Sequence, residues 1–547
     1  MNYVCNPMNL PYRYQFVTEG GATRALREAA DPSLVRFRGL YWLFPSMAAG
    51  FFTSADLADW AYHPFIGDMP ETSYAPDVCA LGDELIFCAS ESDKNSDFYR
   101  CRDPRFEAFS RAPGFAPLWD PKLFLDDDGR LYAYWGCSNE RPLYGAELDP
   151  ARLRPIGAPV ELLRADFERY GYERRGEDHH PSDGDLRPWI EGAWMTKHGG
   201  RYYLQYAAPG TEFNVYADAV AESDSPLGPF ARAASNPFSY QSGGFATGAG
   251  HGSTLQTPDG RCYHVASMRL SRNHMFERRL GLWPAGFDAD GALFCDQRYG
   301  DWPRRADAAP WEGPEWMLLS YGKRAYAASG ADAALAVNED MTNWWSAAEG
   351  DAWLEVDLGA VCRVHAVQIN FADGEIVPDE ALPEGRYIDK FPRRTRYLLQ
   401  GSLDGKDYFP IADRRGAQTD LPHELIVREA GFDCRYLRLS DFELPMGQPA
   451  RISGLRAFGR AQGAAPEMAK ARAERTSPLD MRVEWRAAGA MGANVLWGVA
   501  PDKLYHSRLV YGANETNIGA LTAGGAVYLR VDAFNECGVA EGEVFNL

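Results

Sequence analysis

Four titratable residues occupy one recurring place in the first 300 residues of the chain: Asp31, Asp120, Glu191 and His251. Glu191 lies in Trp189-Ile190-Glu191-Gly192-Ala193-Trp194. A carboxylate among bulky apolar neighbours is a candidate for a raised pKa and for a proton-donating role. Each of the four alone reads equally as a turn residue, because Asp-Pro and Asp-Gly are common turn formers. Brought together, they could divide general acid and general base work between them.

A repeat would bring them together. A polar anchor, an alternating apolar run, a glycine turn and an aromatic strand recur five times. The first copy leads from Asp31-Pro32 to Tyr41-Trp42-Leu43-Phe44, and the second from Ala75-Pro76-Asp77 through Gly82 to Leu85-Ile86-Phe87. The third runs from Asp120-Pro121 through Asp126-Asp127-Asp128-Gly129 to Leu131-Tyr132-Ala133-Tyr134-Trp135. The fourth starts at Glu191 and turns at Gly199-Gly200; the fifth runs from Gly250-His251-Gly252 through Asp259-Gly260 to Tyr263. Each copy reads as a hairpin with period-two strands. Five such units predict a β-propeller with the anchors at one end of its axis.

Size and composition agree with an all-β, multidomain chain. At 547 residues it is long enough for two to four units at about 150 residues each. Hydrophobic residues at 46%, Gly 53 and Pro 36 describe a globular, turn-rich protein. A net charge of -20 argues against nucleic acid or an anionic membrane as partner. Ten scattered cysteines without a C-x-x-C pair read as free, mostly buried thiols. Met1 to Pro7 has no signal-peptide pattern, so a cytoplasmic location is the expectation.

The motifs resemble, in order, family 43 glycoside hydrolases: Ala30-Asp31-Pro32, Ala75-Pro76-Asp77, Asp120-Pro121, Glu191-Gly192, Ser225-Pro226-Leu227-Gly228-Pro229-Phe230 and Gly250-His251-Gly252, over roughly residues 8 to 303. The resemblance implies a five-bladed propeller that hydrolyses glycosidic bonds with inversion. It implies Asp31 as general base, Glu191 as general acid, and Asp120 as the residue that orients the acid and tunes its pKa. Such a site sets acid and base about 6.5–9.5 Å apart across the sugar. No cofactor is required for that chemistry. His251 resembles the axial histidine of the family, which often holds a water-coated metal, usually a structural Ca2+; a neutral core histidine is the other reading.

Sugar faces stack on aromatic rings, so Trp42, Tyr74, Trp119, Trp194 and Tyr216 are the candidate platforms, with Trp119 favoured for its place beside Asp120. Arg278 or Arg279 could reach a sugar hydroxyl from the last blade, and Arg279 is taken as the candidate. The polar stretch 167–188 reads as a surface loop able to overhang the pocket.

The propeller is expected over 1–305. Over 316–460, Trp344-Trp345, Trp353-Leu354-Glu355-Val356 and Arg435-Tyr436-Leu437-Arg438 resemble the discoidin fold shared with family 32 carbohydrate-binding modules, which implies a jelly-roll β-sandwich. Its role is read as structural or docking, with a loop calcium conceivable at Asn338 to Thr342. Residues 466–547, with Trp485 and Tyr528-Leu529-Arg530-Val531, resemble a fibronectin type III domain, a small immunoglobulin-like sandwich. The reading that follows is an exo-acting, inverting hydrolase of a carbohydrate substrate, releasing a terminal α-L-arabinofuranose or β-D-xylose. Its alternatives are a galactofuranosidase or galactosidase, or a propeller that binds sugar without cleaving it.

Overall fold

Alternating apolar residues between tight turns fold the first 300 residues into five antiparallel blades. In the first, Phe37 pairs with Leu40 across Arg38-Gly39. Both turn residues have positive φ, 48° and 79°. That is the two-residue turn whose twist matches a right-twisted hairpin. His198 and Arg201 are joined in the same way by Gly199 and Gly200. The structure is a computed structural model that describes residues 2–67, 69, 74–330, 332–348, 352–378 and 382–547.

The first blade comprises Ser33–Phe37, Leu40–Phe44, Gly50–Ser54 and Ala61–Pro64. The second comprises Asp77–Leu81, Glu84–Cys88, Phe98–Cys101 and Ser110–Ala112. The third is built on Lys122–Leu125, Leu131–Trp135 and Leu143–Asp149. The fourth runs from Glu191–His198 to Ala231–Arg232, and the fifth from Thr247–Gln256 to Leu293–Cys295. The innermost strands neighbour one another in chain order, and that of the fifth packs against that of the first, which closes the ring. This is a five-bladed propeller.

Aromatic and branched side chains hold the blades together. Trp42, Phe44, Phe51, Val78, Leu85 and Phe87 are buried between the first two. Each such side chain stabilises the fold by about 1.5–3 kcal/mol through burial. The ten cysteines are free, and eight of them are buried.

Beyond the propeller, Leu354–Phe371, Arg396–Ser402, His423–Glu443 and Arg451–Arg460 build a second β-layered unit. Its core includes Val356, Val364, Ile369, Leu399, Leu437 and Ile452. Arg456 of this unit joins Glu339 (2.8 Å) to Asp301 at the end of the propeller (3.2 Å), with all three buried. Glu339 therefore turns inward, and the loop oxygens of Asn338 and Asp340 accept from the backbone amides of Asp340 and Thr342.

A last sandwich faces Lys470–Ser477, Asp480–Arg486 and Glu515–Ile518 against Gly492–Gly498, His506–Tyr511 and Tyr528–Asn535. Its Met481, Val483, Trp485 and Trp497 share one core with Met195, Leu204 and Tyr206 of the fourth blade.

The polar stretch 167–188 departs from its expected place. It is wedged between the fourth blade and the last sandwich, and Glu173 and His179 are fully buried. Its charges are paired: Glu173 with Arg232 (2.7 Å), Arg174 with Asp480 (2.6 Å) and Asp178 with Arg508 (2.8 Å). Composition alone could not show these partners, two of which lie more than 300 residues away.

Candidate functional site

The anchors meet at one end of the propeller axis, where Asp31, Asp120 and Glu191 line a pocket of about 410 Å³ with His251. Asp31, Asp120 and His251 have left-handed backbones, with φ of 48°, 54° and 51°. Non-glycine residues there store strain, and such strain gathers at functional sites. Two glycines make room for the cluster. A Cβ on Gly192 would lie 2.7 Å from the His251 ring, and one on Gly250 would lie 2.8 Å from the Tyr216 ring.

Asp31 is buried and fully engaged. Ser46 Oγ donates to its Oδ2 at 2.8 Å, and Arg278 Nη1 donates to its Oδ1 at 2.8 Å. Burial acts to raise its pKa, but the charges of Arg278 and His251 and the Ser46 hydroxyl outweigh it and hold the carboxyl below the usual range. Asp120 accepts from Ser90 Oγ at 2.7 Å. Burial pushes it up to about 7, with Glu191 and Asp31 adding to the rise against the pull of His251. Asp120 therefore keeps a proton at the site near neutral pH.

Glu191 is held by two donors. Tyr216 Oη donates to Oε1 at 2.5 Å, and Cys137 Sγ donates to Oε2 at 3.0 Å. Burial, then the charge of Glu191, pushes both the Tyr216 hydroxyl and the Cys137 thiol well up, so both keep their protons. His251 points Nδ1 at Asp31 (3.4 Å) and Asp120 (3.8 Å). Burial opposes its cation, but Asp31, Asp120 and Glu191 hold its pKa above the ordinary value. Asp218 fixes the backbone beneath by accepting from the amides of His251 (2.7 Å) and Gly252 (2.8 Å).

The candidate platforms divide. Tyr74 and Trp119 line the pocket. Trp42 does not, because it is fully buried between the first two blades with Nε1 on Phe37 O. Trp194 does not either: its ring packs under Lys122 Nζ at 3.4 Å, and its Nε1 donates to Thr254 O. Tyr216 stands behind Glu191 and positions it. Arg279 is excluded by strand alternation. It faces away from the pocket and donates to His423 of the second β-layered unit at 3.0 Å, while Arg278 faces in. Cys137, Trp189 and Phe276, none of them among the candidate binding residues, also line the pocket. Only the loops between strands bring them there.

Calcium takes six to eight oxygen ligands. Nδ1 of His251 instead faces two carboxylates of the pocket, and the nearby ligating side chains, Asp120, Cys137 and Glu191, include a thiol. That donor set does not fit a hard cation bound directly by the protein, and no step below uses one.

Comparison with known proteins places the chain. Residues 26–293 match the family described as glycosyl hydrolases family 43. A xylosidase/arabinosidase 43A of Humicola insolens is 32% identical over 259 residues, covering 37% of this chain and 77% of that protein. A β-D-galactofuranosidase of Aspergillus niger is 25% identical over 277 residues, covering 44% of this chain and 73% of the relative. Among solved structures, a thermostable family-43 glycoside hydrolase aligns with a TM-score of 0.42 and 21% identity, over 52% of this chain and 97% of that one.

Proposed function

The chain belongs to glycosyl hydrolase family 43 and is a glycoside hydrolase, and we propose that it removes terminal pentoses, α-L-arabinofuranose or β-D-xylose, with inversion of the anomeric centre. The observation that carries this reading is the contrast between two carboxylates in one pocket. Asp31 is held ionised by Arg278, while Asp120 is pushed up to about 7. Carboxyl groups driven apart in this way are suited to opposite protonation roles.

In this reading Asp31 takes a proton from water as the water oxygen bonds to the anomeric carbon. Glu191 gives a proton to the departing glycosidic oxygen as the bond to it breaks. Tyr216 and Cys137 hold the Glu191 carboxyl in place for that transfer, and the proton retained by Asp120 at neutral pH sits beside it. A terminal sugar would lie between the aromatic faces of Trp119, Trp189, Tyr74 and Phe276, whose apolar surfaces suit its C–H faces. The xylosidase/arabinosidase relative supports a pentose. The galactofuranosidase relative favours a second reading, a galactofuranoside substrate of the same pocket.

A panel of p-nitrophenyl glycosides, assayed with wild type and Glu191→Gln, separates these readings. The expected result is release from the arabinofuranoside or the xyloside, reduced in the variant. Turnover of the galactofuranoside alone would replace the pentose reading. Proton NMR of the first anomer released tests inversion, and a retained product would remove Asp31 from the role of base.

A further inference from the structure

Part of the second β-layered unit leaves its own sheet and lies along the propeller. Its strand Gly385–Ile388 pairs with Tyr14–Glu19, which forms a hairpin with Ala22–Arg27, placing Gln15 opposite Ile388 and Val17 opposite Arg386. This pairing delivers Arg386 to the wall of the catalytic pocket. Its Nη1 donates to the Tyr74 hydroxyl at 2.6 Å, and its guanidinium carbon stands 5.4 Å from the centre of the Tyr74 ring.

The contact continues inward. The Tyr74 hydroxyl donates to Glu28 Oε2 at 3.3 Å, and Gln15 donates to the same oxygen at 2.9 Å. Glu28 Oε1 accepts from Arg278 Nη2 at 2.6 Å, and Arg278 Nη1 holds Asp31. Glu28, Arg278 and Asp31 are all buried. On the pocket side, Phe276 leans against Tyr74 with ring centres 5.8 Å apart.

We infer that Arg386 is a positioning residue of the active site, supplied from outside the propeller. It fixes Tyr74 as the wall on which the terminal sugar packs and, through Glu28, steadies Arg278 on Asp31. The inference rests on the pocket and roles proposed above. A purely docking role for Arg386 is the competing account. Docking has other anchors, because Arg27 pairs with Asp373 (3.1 Å) and Asp420 (3.0 Å), and Arg279 bonds His423, all buried in the same interface. Those contacts survive the loss of Arg386. What its loss removes is one of the two partners of the Tyr74 hydroxyl, which is then held by Glu28 alone.

The test uses the full chain and the aryl glycoside that wild type hydrolyses. Arg386→Met, Arg386→Lys, Tyr74→Phe and the double variant Arg386→Met/Tyr74→Phe are compared for kcat, KM and thermal midpoint, with Asp31→Asn as the blank. Arg386→Met should lower kcat/KM about tenfold, mostly through KM, with an unchanged midpoint. Arg386→Lys should restore most of it. The double variant should be no worse than Tyr74→Phe, because Arg386 acts through the hydroxyl that Tyr74→Phe already removes. Wild-type kcat and KM in Arg386→Met, a loss that follows a fall in midpoint, or losses that multiply in the double variant would each overturn the inference while the functional reading stands. If wild type itself turned over no glycoside, the functional reading would fail and this inference with it.

Discussion

Arg278 Nη1 lies 2.8 Å from Asp31 Oδ1, inside a protein wall that leaves both side chains buried. The contact decides which way burial acts on the carboxyl. Without the guanidinium, burial would raise the Asp31 pKa. A water-activating base must be ionised, so the acidic limb of kcat/KM should move to higher pH in Arg278→Met. The same change leaves Glu28 and Asp31 buried without their cation and should cost about 3–5 kcal/mol of stability. Arg278→Lys keeps the charge and should show a smaller shift of the limb. A limb that does not move in either variant would separate Asp31 from the acidic limb.

Asp120 yields the opposite sign. Its folded-state pKa is raised to about 7, above the ordinary value of 3.8. The native state therefore holds a proton that the unfolded chain has released, and stability falls as pH rises between those two values. Asp120→Asn keeps an acceptor for Ser90 and removes the buried charge. Its thermal midpoint should exceed that of wild type at pH 8, and the difference should shrink at pH 4.5, while turnover falls by at least about a hundredfold. Equal midpoints at both pH values would show that Asp120 carries no such penalty.

Glu191 and its donors predict a dependence on the leaving group. A phenolate with a low pKa needs little protonation as it departs, whereas a sugar hydroxyl needs a full proton. Glu191→Gln should therefore lose far more activity on an oligosaccharide than on a dinitrophenyl glycoside. Tyr216→Phe should show the same pattern in weaker form, because it removes the 2.5 Å bond to Oε1 and leaves the Cys137 bond to Oε2. A uniform loss on both substrates would mean that Glu191 does not act as the acid.

The propeller was legible in the sequence because each blade carries its own turn chemistry and period, as at Arg38-Gly39 and Gly199-Gly200. The anchors Asp31, Asp120, Glu191 and His251 were legible for the same reason, since one place in the repeat maps to one end of the axis. The direction of single side chains was not. Trp42 and Trp194 look like platforms in one dimension, but packing between blades takes them. Arg278 and Arg279 differ only in which face of their strand they occupy, and that register depends on pairing with Cys262–Arg269. Contacts across hundreds of residues, such as Arg386 with Tyr74 or Arg174 with Asp480, leave no trace in local composition.

Two tryptophans test that division directly. Trp119 is 38% exposed at the pocket, whereas Trp42 is 0% exposed between blades. Replacing Trp119 with Ala removes stacking area without opening a core cavity. KM for the hydrolysed glycoside should rise several-fold while the thermal midpoint holds. Trp42→Ala removes a ring packed on Phe37 and Phe51 and the Nε1 bond to Phe37 O, and should cost about 3–5 kcal/mol. In the fraction that remains folded, KM should match wild type, because the ring never reached the sugar. Titrating both variants with the released monosaccharide, followed by tryptophan fluorescence, separates the effects. Weakened binding in Trp42→Ala at a temperature where it is fully folded would return that residue to the pocket.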